Sequence, residues 1–224
     1  MTGGGRLAPP LAAHSERLAR AAGLALRLER TDAVALTFDD GPHRAGTPAV
    51  LAELERRSAR ATFFLVGEQV RRSPALARDI VDAGHEVALH GDCHTLLLRR
   101  RVAAFAADLD RASATIADAT GVVPTLYRPP YGIFGARTLA HVRERGLVPL
   151  LWSAWGRDWE RRATSVSIAR RVTRRLLPGD VVLLHDSDAY SSPGSWRRTA
   201  AALPSILDAV AALGVPVDSV THST

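Results

Sequence analysis

The sequence predicts an α/β fold, with parallel strands joined by helical crossovers in a single domain. Seven short apolar runs carry this reading: Ala33–Phe38, Ala61–Val66, Glu86–His90, Thr125–Arg128, Val148–Ser153, Asp180–His185 and Val215–Val220. Several are rich in Val, Leu and Phe and sit behind turn glycines such as Gly84, Gly146, Gly179 and Gly214, the pattern of buried strands. Longer amphipathic stretches separate them, and strands alternating with helices in this way pair in parallel through crossovers. Periodicity alone leaves two closures open: an open, doubly wound sheet or a barrel.

The helical stretches follow in order. Ala13–Leu28 reads as a helix ahead of the first strand, so residues 1–30 are expected to form a helical N-terminal extension to a domain over 31–224. Thr47-Pro48 opens the next helix, with Thr as cap and Pro at the first helical position, followed by apolar Val50, Leu51 and Leu54. Pro74–Ala83 is stopped by Gly84 and Val102–Thr120 by Gly121. Ala136–Arg145, Ser165–Leu176 and Arg198–Leu213 complete the set.

A chain of 224 residues can bury a sizeable core in one domain. With 46% hydrophobic and 23% charged residues, the composition is that of a soluble globular protein. No run approaches the roughly 20 apolar residues of a membrane helix. All 29 basic residues are arginine and the net charge is +6. We read this charge as a solvated, arginine-biased surface and expect no nucleic-acid partner. The single cysteine, Cys93, excludes an intrachain disulfide. Met1–Pro10 shows no basic region followed by an apolar run, so no secretory signal is visible. The expectation is a cytoplasmic protein, or an extracellular or wall-associated one if a leader is missing from the sequence.

The unusual polar residues collect behind the apolar runs. Thr37-Phe38-Asp39-Asp40-Gly41-Pro42 ends the first, His90-Gly91-Asp92-Cys93-His94 the third, and Tyr127-Arg128-Pro129-Pro130-Tyr131-Gly132 the fourth. Trp152 to Trp159 follows the fifth and Leu184-His185-Asp186 ends the sixth. In parallel α/β folds the site lies at the C-terminal ends of the strands. His90 and His94 are four apart, close enough for both imidazoles to face one way. Two imidazoles and one carboxylate give three protein ligands and leave a position open for water or substrate, as in catalytic zinc sites. Asp39 and Asp40 are adjacent carboxylates, which repel unless a cation lies beside them. One of them can then serve as ligand and the other as base.

Alone, the histidine spacing is weak; the five segments in this order are specific. They resemble the polysaccharide deacetylases with the NodB homology domain, carbohydrate esterase family 4, from Thr37 to Asp186. The resemblance implies a distorted barrel of seven or eight β/α units, here a (β/α)7-type barrel, and an enzyme that hydrolyses N-acetyl groups on a carbohydrate. It implies that Asp40, His90 and His94 hold a divalent metal, zinc first and cobalt or nickel next. Asp39 would be the general base toward water and His185 the general acid toward the leaving amine. Arg128 would hold Asp39, and Asp158 would orient His185. Trp159 and Leu184 would pocket the acetyl methyl, and the Tyr131 backbone N–H would face the oxyanion. An acetylated glycan is the implied partner: peptidoglycan, a chitin-type oligosaccharide or an N-acetylglucosamine conjugate. An O-acetyl esterase of the xylan type and a non-catalytic carbohydrate binder are the competing readings.

The roles are chemically coherent. Amide hydrolysis needs an activated water, an oxyanion stabiliser and a proton for a poor leaving group, and histidine titrates in the range that lets it carry that proton. The sequence departs from the family at Gly91, where a Ser or Thr hydroxyl is usual, and at Trp155-Gly156-Arg157. Asp92 or Thr95 is the expected substitute for the missing hydroxyl. The loop Ser187–Trp196 is expected to shape the groove. Cys93 and His43 read as packed or loop residues near it, and Trp196 either stacks on a sugar ring or packs under the loop.

Overall fold

The computed structural model describes residues 11–12, 16–97 and 101–221. The chain opens with a two-residue strand β1 (Leu11–Ala12) and helix α1 (Glu16–Ala21). It then runs β2 (Ala35–Asp39), α2 (Gly46–Glu55), β3 (Thr62–Leu65), α3 (Gly67–Arg72), α4 (Pro74–Asp82) and β4 (Glu86–Leu89). The second half comprises α5 (Val102–Thr120), β5 (Leu126–Tyr127), β6 (Ile133–Phe134), α6 (Ala136–Glu144), β7 (Val148–Pro149), β8 (Ala154–Trp155), α7 (Ser165–Thr173), β9 (Val181–His185) and α8 (Ser195–Ala212).

Seven strands form one parallel sheet in the order β7-β5-β4-β3-β2-β9-β8. β2 and β3 are buried along their whole length, as strands covered on both faces must be. Phe38 and Phe63 stack across this central pair at 5.1 Å. The helix ends follow local chemistry. Pro74 starts α4, Gly121 in the left-handed region (φ 75°) ends α5, and Thr164 caps α7 by accepting the Ser167 N–H at 3.1 Å.

The expected fifth strand divides. Residues 148–149 pair with β5 at one edge of the sheet, while residues 154–155 pair with β9 at the other. Only Leu150–Ser153 separate the two pairings, and the five steps from Pro149 to Ala154 span at most about 17 Å. The sheet is therefore curled into a half-barrel, far enough for one segment to bridge both of its edges, which favours the barrel-like form that periodicity left open. The run expected as a seventh strand, 215–220, makes a single bridge from Val217 to Val34. Pro216 accepts the Val34 N–H at 3.0 Å but has no N–H to continue a ladder.

The N-terminal stretch differs from the helix expected over 13–28. Within its described part, helix covers Glu16–Ala21 and stops where Gly23 takes φ 66°. Leu24, Leu26 and Leu28 are buried in the main core while Ala25 and Arg27 are partly exposed. That period of two is strand-like, and Ala25 and Arg27 form bridges with Leu150 and Asp180. Residues 13–15 of that expectation, including His14, lie outside the described residues, as does His222.

Candidate active site

The strand ends bring the chemistry together. Asp39 is the last residue of β2 and pairs in register with His185, the last of β9. His90 follows β4 and Arg128 follows β5 directly. Asp39, Asp40, His90, His94, Tyr131, Trp159 and His185 all line one cleft of about 400 Å³. Among the described residues, four non-glycine residues hold a positive φ, and three of them line this cleft: Asp40 (78°), Tyr131 (62°) and Arg157 (51°). Such conformations cost of order 1–3 kcal/mol each and persist where surrounding structure fixes them.

Asp40 Oδ1 lies 3.4 Å from His90 Nε2 and 3.3 Å from His94 Nε2. It is buried without a hydrogen-bond donor. His90 Nδ1 donates to the Arg128 carbonyl at 2.8 Å, which leaves the Nε2 lone pair facing Asp40. Burial would raise Asp40, but the neighbouring His90 imidazole and the charges of His185 and His94 hold it down at about 2. Burial pushes His94 down to about 4 against the pull of Asp40. The ligand atoms of Asp40, His90 and His94 lie within 4.8 Å of one another. An orphaned buried carboxylate oxygen facing two imidazole nitrogens fits a divalent cation.

Asp39 is held by a different partner. Arg128 Nη1 donates to Asp39 Oδ1 at 2.6 Å and to Thr37 Oγ1 at 2.8 Å. Its Nη2 and Nε donate to the carbonyls of Leu151 and Leu150 at 2.8 and 3.4 Å. The guanidinium also lies 4.0 Å over the Phe64 ring and is wholly buried. Four of the five N–H donors of the fork are engaged and each of its nitrogens has a partner, so Arg128 is held in one orientation and Asp39 Oδ1 is fixed with it. Asp39 Oδ2 remains toward the cleft, 3.8 Å from His90 Nε2.

His185 is coupled to Asp158. Nδ1 donates to Asp158 Oδ1 at 2.9 Å. Asp158 Oδ2 also receives the His185 backbone N–H and the Thr199 hydroxyl, each at 2.7 Å. Burial alone would lower the imidazole, but the charge and hydrogen bond of Asp158, then Asp40 and Asp39, raise it to about 10. His185 is thus an imidazolium at neutral pH, with Nε2 toward the cleft, 4.0 Å from Asp40 Oδ2.

The structure places one expected residue elsewhere. Leu184 is fully buried and packs near Gly156 on the far side of β9, while Leu183 lines the cleft. Alternation along a strand requires this: His185 points into the cleft, so Leu183, two residues back, shares its face and Leu184 does not. Trp159 stands edge-on to His185 at 5.3 Å between ring centres. Tyr190 was not singled out in the sequence. It brings its ring parallel to His94 at 4.2 Å, with its hydroxyl hydrogen-bonded to Glu68 and Gln69. Thr199, which backs Asp158, had no signal either. Trp152 and Trp155 also line the cleft, within the tryptophan-rich segment the sequence marked. His43 ties loops together, accepting the Gly46 N–H at 2.9 Å and pairing with Asp188 at 3.2 Å.

Residues 28–150 match the polysaccharide deacetylase family. The chain belongs to that family. It is 34% identical over 153 residues to the peptidoglycan-N-acetylglucosamine deacetylase PgdA of Listeria monocytogenes, covering 68% of this chain and 32% of that protein. The polysaccharide deacetylase chain thus spans about a third of that relative's length. It is 40% identical over 157 residues to a chitooligosaccharide deacetylase of Bradyrhizobium sp., covering 70% of this chain and 71% of that one. The Bc1960 peptidoglycan N-acetylglucosamine deacetylase, solved with 4-naphthalen-1-yl-N-oxidanyl-benzamide, shares its fold with a TM-score of 0.84. The two are 25% identical, over 92% of this chain and 94% of that one. No helix among the described residues is long and apolar enough to cross a membrane.

Proposed function

We propose that this polysaccharide deacetylase removes N-acetyl groups from a carbohydrate by hydrolysis. The observation that carries the reading is the division of labour in one cleft: a carboxylate with two imidazoles, a second carboxylate clamped by Arg128, and an imidazolium held by Asp158. Asp40, His90 and His94 are the residues that would hold a divalent cation. Their oxygen and nitrogen donors favour zinc, with cobalt or nickel as substitutes. When bound, such an ion supplies Lewis-acid polarisation of the acetyl carbonyl and lowers the pKa of a water from about 15.7 towards about 7.

The chain's own groups do the rest. Asp39, aimed by Arg128, accepts a proton from the attacking water through Oδ2. The Tyr131 backbone N–H donates to the oxyanion, a contribution worth about 2.7–4 kcal/mol at comparable sites. His185 passes its Nε2 proton to the departing amine, while Asp158 keeps Nδ1–H engaged and the ring oriented. Trp159 and Leu183 flank the space for the methyl group. A purely binding protein has no use for a clamped base or a buried imidazolium, which sets the catalytic reading above the binding one.

Acetate release from a panel of acetylated glycans, with zinc, cobalt or nickel added, tests this. The expected result is release from N-acetylated oligosaccharides, lost on chelation and restored by metal, with Asp39→Asn binding metal but inactive. Release from acetylated xylan alone would make it an O-acetyl esterase. Glycan binding without turnover in the metal-loaded protein would make it a carbohydrate-binding relative.

A further inference from the structure

Beside the acetyl cleft lies a second hollow of about 580 Å³, lined by Trp155, Arg157, Arg170, Arg171 and Arg174. Trp155 and Arg157 line both, so the two spaces adjoin across one indole and one guanidinium. Four guanidiniums face this hollow and no acid lines it. Nearby, Glu160 pairs with Arg171 at 2.9 Å and Arg157 at 3.7 Å. Arg170 and Arg174 have no acidic partner among the described residues, both are exposed, and they stand four apart in one helical turn. Like charges at that spacing repel.

A structural account covers part of this. Arg170 and Arg171 sit in the last turn of α7 and Arg174 caps it, where the helix dipole favours cations by about 0.3–1 kcal/mol. It does not cover Arg157, which enters from another loop in a left-handed conformation (φ 51°) and lies 4.6 Å over the Trp155 ring. The result is an excess of three positive charges around one concavity, next to an aromatic face that a sugar ring can stack on. Guanidinium forks match phosphate oxygens in pairs. A neutral oligosaccharide would leave the three excess charges to water, and a lone carboxylate would neutralise only one of them.

We propose that this hollow is a phosphate subsite and that the substrate is a phosphorylated N-acetyl sugar, its phosphate held by Arg157, Arg170 and Arg174 while its acetyl group occupies the cleft. The inference rests on the deacetylase reading and narrows its substrate class.

Acetate release by the zinc-loaded protein is measured on four probes: N-acetylglucosamine 1-phosphate, UDP-N-acetylglucosamine, neutral tetra-N-acetylchitotetraose and the carboxylate-bearing disaccharide N-acetylglucosaminyl-N-acetylmuramic acid. The expected result is a higher kcat/KM for one or both phosphate probes, weakened by salt. Whichever of them leads identifies a sugar monophosphate or a nucleoside diphosphate sugar as the source. In Arg170→Ala/Arg174→Ala, the ratio of kcat/KM for phosphate over neutral probes should fall about tenfold, through KM. No preference for phosphate over the other two probes in the wild-type protein, or an unchanged ratio in the variant, would overturn the proposal. If no probe releases acetate, it is the deacetylase reading that fails. Calorimetry then decides the subsite: salt-sensitive binding of the phosphate probes, lost in the double variant, sustains it, and its absence removes it.

Discussion

Asp39 and Arg128 form a 2.6 Å ion pair between two buried side chains. The same guanidinium holds the carbonyls of Leu150 and Leu151, in the short segment that bridges the two edges of the sheet. One side chain thus aims the proposed base and fastens the segment that joins the two edges of the sheet. Removing one partner of a buried pair leaves an uncompensated charge and costs about 3–5 kcal/mol. Arg128→Met is expected to lose stability on that scale in urea unfolding and to lose nearly all turnover. Adding Asp39→Asn should recover part of the stability and none of the activity. A single variant within about 1 kcal/mol of wild type would mean that the pair is not isolated from water.

His185 gives a pH prediction with a definite direction. As an acid it works while protonated, so activity is lost as pH rises through its folded pKa. Asp158 is the main influence raising that value to about 10 against burial. Asp158→Asn keeps a hydrogen-bond acceptor but removes the charge. The alkaline limb of the kcat profile should therefore move to lower pH, and activity at pH 8–9 should fall more than at pH 6. A uniform loss at all pH values would show that Asp158 only holds the ring in place.

Much of this site was legible because its residues directly follow apolar runs. Asp39, Asp40, His90, Arg128 and His185 each sit at or just past a strand end, and any parallel sheet would bring those positions to one rim. Other features depend on relations that a run of residues does not display. The stretch 148–152 is apolar throughout, but whether it serves one strand or joins two edges is decided by the curl of the sheet. Tyr190 reaches His94 from a loop 96 positions away, so nothing near either residue signals the contact. Two differences were readable. The alternation Leu24-Ala25-Leu26-Arg27-Leu28 has the period of a strand, and the two-residue rule along β9 selects Leu183 over Leu184.

The departure at Gly91 has a physical counterpart. Gly91 holds φ 92°, and a Cβ there would stand 3.2 Å from Asp108 Oδ2, which accepts the Asp92 N–H at 2.8 Å. Asp92 in turn accepts from Arg71 at 2.5 Å and Arg111 at 3.2 Å. Carboxylates and arginines thus brace the loop carrying His90 and His94 where the family commonly uses a hydroxyl. Asp92→Ala is expected to weaken zinc binding about 10–100-fold by competition titration, as loss of supporting partners does at other metal sites. Gly91→Ser should not substitute for it, because the left-handed backbone costs a side chain about 1–2 kcal/mol. Unchanged zinc affinity in Asp92→Ala would leave the bracing role without support.

His85 offers a stability prediction remote from the cleft. It is 8% exposed, packs against Phe63 at 5.5 Å and accepts the Ala61 N–H at 3.3 Å. Burial first, and then the charge of Arg60, lower it to about 4. Unfolded histidine titrates near 6.5. Between these values protons bind the unfolded chain preferentially, so this contribution is complete above pH 6.5 and is lost as pH falls towards 4. The full difference corresponds to about 3 kcal/mol at most. His85→Phe removes the titration and keeps a ring against Phe63. Urea midpoints of both proteins, followed from pH 7 to pH 4 at equal metal loading, should show the wild type losing stability faster. Parallel curves would place the proton uptake of acid unfolding on other groups.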